Sequence, residues 1–430
     1  MLNKFKLYLA SSIALLLLTA CGGNDNQNNG SSSSAPKIST YKSTILVANK
    51  AEYNPQILDT NLTNAWGIAI RPAGLGGHFW VPAGSASFQY VGDVKNSSDS
   101  NLHNLHVDSL PYVSMGLDEG ATSTGTVFNG GSSFVITQPI EGKSDIIAPT
   151  KFFFASDDGS IHAWTERKVT NIDGSTSMDW PTVAVPVIKH VGASYFGIAM
   201  NTSFTRLYAT NFGLDPEIHV YDGTFKKLDV KFETPFDLNG NGKVDIGEYA
   251  PFNIQNIIDQ YGNHHLLVAY AETKECSQAS INNGICKAGE IEPGEEAGEV
   301  EEEGEEEEES SGGSGRIAEF DDNGKLIATW DSTGLSSPWG VAFAPSNFGQ
   351  YSGHLLVANF GTGLISVYHP TTRKFVDFLR DSSNNYIYHQ GIWGLQFGNG
   401  ASLGDSNALY FTAGPRDEQD GVFGSIRLNQ

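Results

Sequence analysis

The clearest chemistry in this sequence lies in twelve residues, Asp237 to Glu248 (DLNGNGKVDIGE). Side-chain oxygens stand at the first, third, fifth, ninth and twelfth positions: Asp237, Asn239, Asn241, Asp245 and Glu248. Gly242 takes the sixth position, where the chain must turn sharply, and the apolar Val244 the eighth. A hard divalent cation needs about six to seven oxygens in a flexible cage, and this spacing supplies them in the order of an EF-hand loop. The backbone carbonyl of Lys243 would be the seventh-position ligand, Asp245 would act through water, and Glu248 would clamp with both oxygens. The expected cofactor is calcium. Only one such loop is visible and its flanks are not clearly helical, so the expected role is to hold a loop in shape. The competing reading is an Asn- and Gly-rich turn.

Other candidates are weaker. Asn64, Asn211 and Asn359 adjoin repeated strand segments, and Asp157-Asp158 follows another. Together they would suit an axial cation at the mouth of a channel, or they would serve as corner residues, which Asn and Asp favour. His103-x-x-His106-x-Asp108 has metal-ligand residue types but lacks a clear third partner. His162 and His219 stand at equivalent places in two strands. No G-x-S-x-G elbow, phosphate-binding loop, dinucleotide fingerprint or H-E-x-x-H pair occurs, so no nucleophile is identified.

The elements that must position these residues follow from internal repetition. Trp66-Gly67-Ile68-Ala69-Ile70 returns as Phe196-Gly197-Ile198-Ala199-Met200, as Trp339-Gly340-Val341-Ala342-Phe343 and as Trp393-Gly394-Leu395-Gln396-Phe397. Weaker copies stand at Thr124-Gly125-Thr126-Val127-Phe128 and Phe252-Asn253-Ile254-Gln255-Asn256. The steps between second positions are 58, 72, 56, 87 and 54 residues, a unit near 55–60 with an insertion in the longest step. Each copy precedes one or two further segments of period two, such as Leu207–Thr210 and Ile218–Tyr221. A small antiparallel sheet of this kind cannot bury both faces alone, and six packed radially can. The expected fold is all-β: a six-bladed β-propeller of four-stranded antiparallel blades over residues 41–430. The last unit is one strand short, and Thr44–Ala48 would close the ring. The repeated Gly suits a crowded axis.

The units Leu207–Tyr221 and Leu355–Tyr368 resemble NHL-type propeller repeats. The span Asn61–Arg427 resembles an uncharacterised family of bacterial envelope proteins predicted to be six-bladed propellers. That resemblance rests on N-L-x-N-x-W-G-I-A (Asn61 to Ala69), A-P-F-N-I-Q-N-I (Ala250 to Ile257) and P-W-G-V-A-F-A-P (Pro338 to Pro345). It rests also on F-G-Q-Y-S-G-H-L-L-V-A-N-F-G (Phe348 to Gly361) and Y-F-T-A-G-P (Tyr410 to Pro415). Ala65 stands where the family would have Pro. The resemblance implies the fold and brings no activity.

The ends and the charge indicate a compartment. Lys4 and Lys6 precede the apolar stretch Leu7–Leu18, too short to span a bilayer comfortably, so residues 1–20 read as a secretory signal. Leu18-Thr19-Ala20-Cys21 resembles the bacterial lipobox at all four positions, which implies lipidation at Cys21. Residues 21–40 would form a polar tether, and Gly22 resembles the pattern for outer-membrane sorting in a cell with two membranes. In an oxidising envelope, Cys276 and Cys286 are expected to form one local disulfide. It would staple an acidic insertion at about 272–315, where Glu290–Glu309 holds thirteen Glu and no Lys or Arg.

The 430-residue chain carries 26 Lys and Arg against 49 Asp and Glu, a net charge of −23. Nucleic acid is therefore excluded as a partner, since no positive surplus exists to displace phosphate counterions. The functional expectation is a lipid-anchored, monomeric envelope module that binds an envelope protein, a glycan or a small molecule. The alternative is a metal-dependent hydrolase or lyase working at the channel mouth.

Overall fold

A computed structural model describes residues 39–276, 291–293 and 314–429. Six antiparallel sheets follow one another along the chain as the blades of a β-propeller. Blade 3 shows the plan, with strands Tyr195–Met200, Arg206–Asn211, Glu217–Asp222 and Lys227–Leu228 side by side in chain order. Blade 5 repeats it with Pro338–Phe343, Leu355–Asn359, Ile365–Tyr368 and Phe375–Phe378.

The period of two explains why these strands are buried on both sides. Successive side chains point to opposite faces of a sheet, and in a propeller each face meets a neighbouring blade. Leu207 and Ala209 pack toward blade 2, while Tyr208 between them packs toward blade 4. Phe153 and Ala155 of blade 2 likewise face blade 3, and Phe152 and Phe154 face blade 1. The apolar core is accordingly divided into one cluster at each of the six blade interfaces and one on the axis.

The ring closes as expected. Blade 6 contributes Ile392–Phe397, Leu409–Ala413 and Val422–Leu428, and strand Tyr41–Ala48 pairs antiparallel with the last of these. Blade 1 departs from the plan at its inner edge. Its inner segment pairs with the next strand only at the bridges Ala65–Ala83 and Ala69–Trp80, and between them Gly67 N donates to Thr124 O of blade 2 at 3.1 Å. The long step through blade 2 is explained by two added hairpins, Val135–Gln138 with Ile146–Pro149 and Arg167–Thr170 with Thr176–Asp179.

The repeated glycines sit where inner strands of adjacent blades touch. A Cβ on Gly197 would lie 2.6 Å from Asn253 Cα, and one on Gly340 would lie 2.4 Å from Trp393 O. No side chain fits there. Thr210 and Thr412 reinforce these contacts. Thr210 Oγ1 accepts from Gly197 N of its own blade at 2.8 Å and donates to Phe252 O of the next at 3.1 Å. Thr412 joins Gly394 N to Trp66 O in the same manner.

Residues 1–38 lie outside the described region, and with them the expected signal, Cys21 and most of the tether. Cys286 and most of the acidic insertion lie outside it as well. Cys276 directly follows the long strand His264–Glu275 of blade 4.

Candidate functional site

In five of the six copies the residue before the repeated second position is aromatic and points toward the axis. Trp66, Phe196, Phe252, Trp339 and Trp393 converge there and pack with Phe212, Phe360 and Val244. Trp66 and Trp393, from the first and last blades, stack at 3.6 Å, and Phe360 stacks on the other side of Trp393 at 4.0 Å. Phe196 lies 5.3 Å from Trp66, and Trp339 meets Trp66 edge-on at 5.9 Å. These rings close the channel at the mouth where the inner strands begin.

The expected channel-mouth residues Asn64, Asp157, Asp158, Asn211 and Asn359 lie at that same mouth. The second strand of each blade runs antiparallel to the first, so its end returns beside the start of the inner strand. Asn211 pairs with Tyr195, Asn359 with Pro338, and Ser156, just before Asp157, with Ser123. Asn211 Oδ1 accepts from Ser194 N and Gly213 N, both at 2.9 Å, and its amide donates to Leu214 O and Asp215 O. Asn359 Oδ1 accepts from Ser336 N at 3.0 Å while its amide donates to Leu364 O and Ser366 Oγ. Both side chains are spent on their own corners. Asn64 touches the plug, accepting from Trp393 Nε1 at 3.1 Å and donating to Glu418 Oε2 at 2.7 Å.

Asp157 and Asp158 differ in electrostatics. Burial pushes the Asp157 carboxyl up to about 6, against a hydrogen bond from Thr122 N at 2.8 Å. Burial also pushes Asp158 up, but its bonds with Ser160, Lys189 and Asp118 N hold it down at about 2. The histidine motif does not assemble. His103 bonds to Ser97 O, His106 to Asn104 O, and Asp108 pairs instead with His78 at 2.9 Å. His162 and His219 are both buried in third strands, where His219 bonds to Tyr195 Oη at 2.6 Å.

The Asp237–Glu248 segment folds into a loop whose oxygen-bearing side chains turn inward on one another. Asp237 accepts from Gly240 N and Gly242 N, both at 2.7 Å. Asn239 and Asn241 donate to the same oxygen of Asp245, at 2.6 and 2.7 Å. Glu248 is buried and accepts from the amides of Leu238, Asn239 and Asp245. Lys243 contributes its amide to Asn241 Oδ1 at 2.8 Å. Among the described residues, no group of three or more His, Cys, Asp or Glu is arranged to hold a metal. The loop is tied to blade 4 through Thr273, which accepts from Gly247 N and donates to Glu248 O and Asp245 O. Its Val244 packs against the axial aromatic cluster. The acidic insertion departs from this mouth too, since Tyr249 pairs with Glu272 and the chain returns at Gly315 beside Ala271.

Sequence reasoning missed Phe212, Phe360 and Val244 as parts of the plug. The first two carried a signal: Asn211-Phe212-Gly213 and Asn359-Phe360-Gly361 are the same tripeptide at the same corner of blades 3 and 5.

No protein-family model matches the chain. Three uncharacterised proteins of Acanthamoeba polyphaga mimivirus are similar to it. One is 24% identical over 397 residues, which is 91% of this chain and 82% of the viral protein. A second is 28% identical over 265 residues, covering 60% of this chain and 39% of its own length. A third is 29% identical over 119 residues, covering 27% and 30%. The relatives are thus viral, not bacterial.

Proposed function

We propose that this protein is a binding or scaffold module whose recognition surface is the plugged mouth of the propeller. One observation carries this reading: aromatic rings from five blades fill the axis, so the loops around them are left to do the recognising. Pockets that process small substrates are usually several hundred Å³ of shaped cavity. The axial space beneath the plug is open to water-sized molecules over only about 20 Å³. The partner is an envelope protein, a glycan or a small molecule presented at that mouth, and the module acts as a monomer.

Calcium in the Asp237–Glu248 loop would serve as a structural cofactor. The ligand residue types and spacing support it, as does the inward turn of five of the six expected ligands. The chemistry a bound calcium supplies is charge balance for Asp237, Asp245 and Glu248. A disulfide between Cys276 and Cys286 and a lipid on Cys21, placing the module at a cell envelope, are proposed from the sequence alone, as is membership of the bacterial envelope family with NHL-like repeats. The viral relatives lend no support to the envelope setting.

A second reading is a metal-dependent hydrolase or lyase at the mouth. It is favoured by Asp157 and Asp158, neighbouring carboxyls whose environments drive them apart, as acid and base pairs require. The deciding experiment screens the full chain against glycans, peptides, esters and lactones, recording binding and turnover together. Binding weakened by Leu214→Glu at the rim, without product, supports the module. Product formation abolished by Asp157→Asn selects the enzyme.

A further inference from the structure

Blade 4 carries the one departure from the glycine layer, Asn253 in place of Gly, followed two residues later by Gln255. Both carboxamides are oriented by backbone partners in blade 5. Asn253 Nδ2 donates to Trp339 O at 2.7 Å, and Asn253 Oδ1 accepts from Ile254 N at 2.9 Å. Gln255 Oε1 accepts from Val341 N at 2.8 Å and from Asn253 Nδ2 at 3.1 Å. With its oxygen so engaged, Gln255 has its NH2 group left over, and no protein acceptor takes it among the described residues.

These two side chains line the axial cavity beneath the plug, with Gly67, Gly125, Thr126, Trp339 and Gly394. Two of the lining residues hold buried polar atoms without a protein partner, the Trp339 indole Nε1 and the Thr126 hydroxyl. Trp339 is only 4% exposed. The imbalance has a sign. The side-chain acceptors of the lining amides are used, hydrogen-bond donors are left over, and no carboxylate belongs to the lining. A cation would find no carboxylate there to balance its charge. A group that only accepts would satisfy all three donors at once.

We propose that the propeller axis holds a monatomic anion of the halide class, bound by Gln255 Nε2, Trp339 Nε1 and Thr126 Oγ1. The available space admits a water-sized species. The site ties blades 2, 4 and 5 together where their inner strands meet.

The test uses the full chain in halide-free acetate buffer, titrated with sodium chloride and sodium bromide and, as ionic-strength control, sodium sulfate. A saturable rise in melting temperature with either halide, beyond that given by sulfate, is expected. A crystal grown in bromide should show an anomalous peak on the axis. Gln255→Glu keeps the oxygen that Val341 N needs but replaces the donor with a negative group, and it should abolish the halide response. Thr126→Val, a change of one hydroxyl, should weaken it about tenfold, the loss of one hydrogen bond to a charged group. Equal responses to sulfate and halide, unchanged responses in a folded Gln255→Glu protein, or an axial density without anomalous signal would each overturn the proposal.

Discussion

Asp93 and Arg427 meet at 2.6 Å across the seam where the last blade joins the first. Asp93 is wholly buried, and the oxygen that holds Arg427 also accepts from Tyr410 Oη at 2.7 Å. Its other oxygen pairs with Lys95 at 2.7 Å. The chain itself passes from strand Tyr41–Ala48 of blade 6 into blade 1, so the ring is closed without a covalent link where that strand pairs with Val422–Leu428, and Asp93 and Arg427 add a side-chain tie between the two blades. Removing one partner of a buried pair leaves the other charge uncompensated, at a cost of about 3–5 kcal/mol. Asp93→Ala should therefore lose that much in urea unfolding, and the Asp93→Leu, Arg427→Leu double variant should recover part of it. A loss below about 1 kcal/mol for the single variant would show that the pair is not holding the ring.

The glycine layer gives a sharper steric prediction. A methyl group at Gly340 would sit 2.4 Å from Trp393 O and 2.7 Å from Leu395 N, both backbone atoms of the next blade. Neither can swing aside as a side chain would. Gly340→Ala should cost about 1–3 kcal/mol or more through overpacking. Gly116→Ala is the control, since a Cβ there meets nothing within 4 Å. Equal midpoints for the two variants in chemical denaturation would refute the close-approach account.

What the sequence disclosed and what it hid have one physical origin. Trp66-Gly67, Phe196-Gly197, Trp339-Gly340 and Trp393-Gly394 were visible because these blades meet the same crowded axis and place the same small residue there. The convergence of their aromatic partners was not visible. It exists only once the ring has closed and residues 327 positions apart, such as Trp66 and Trp393, stack. Asn211 and Asn359 were found for the right reason, their place at strand ends, yet their side chains are taken up by local backbone. Asp108 finds His78, thirty residues earlier, because the contact depends on how the loop lies over blade 1, which no spacing encodes.

Acid should destabilise the fold through two desolvated imidazoles. His389 is partly buried, stacked 4.0 Å from Phe411, and desolvation lowers its pKa to about 4. His219 is lowered to about 4, by burial first and then by Lys227. Both rings stay neutral in the folded state while the unfolded chain takes up protons below about 6.5. The unfolded state therefore binds more protons between about pH 6.5 and 4, and stability falls as pH drops through that window. The slope is at most roughly 1.4 kcal/mol per pH unit for each ring. Asp157, raised to about 6, works the other way between about pH 4 and 6 and offsets part of it. His389→Phe should flatten the fall in melting temperature between pH 6.5 and 4.5. An unchanged slope would remove His389 from the account.

The cation loop and the plug are mechanically joined, which makes metal binding readable from the axis. Thr273 fixes the end of the loop to blade 4, and Val244 packs its middle against the axial cluster that contains the tryptophans. A cation that draws Asp237, Asp245 and Glu248 together would restrain both attachments. Calcium at about a hundredfold excess over its Kd should add about 2.7 kcal/mol to stability. Asp237→Ala should lose this gain with little further cost in chelator. Glu248→Ala should cost stability even in chelator, because three backbone amides would lose their acceptor in a buried place. Calcium addition should also shift tryptophan emission, and Val244→Ala should reduce the shift while leaving about one equivalent of calcium bound. Calcium binding with no spectral change would separate the loop from the plug, and no bound calcium in the native chain would leave the loop held by its own hydrogen bonds.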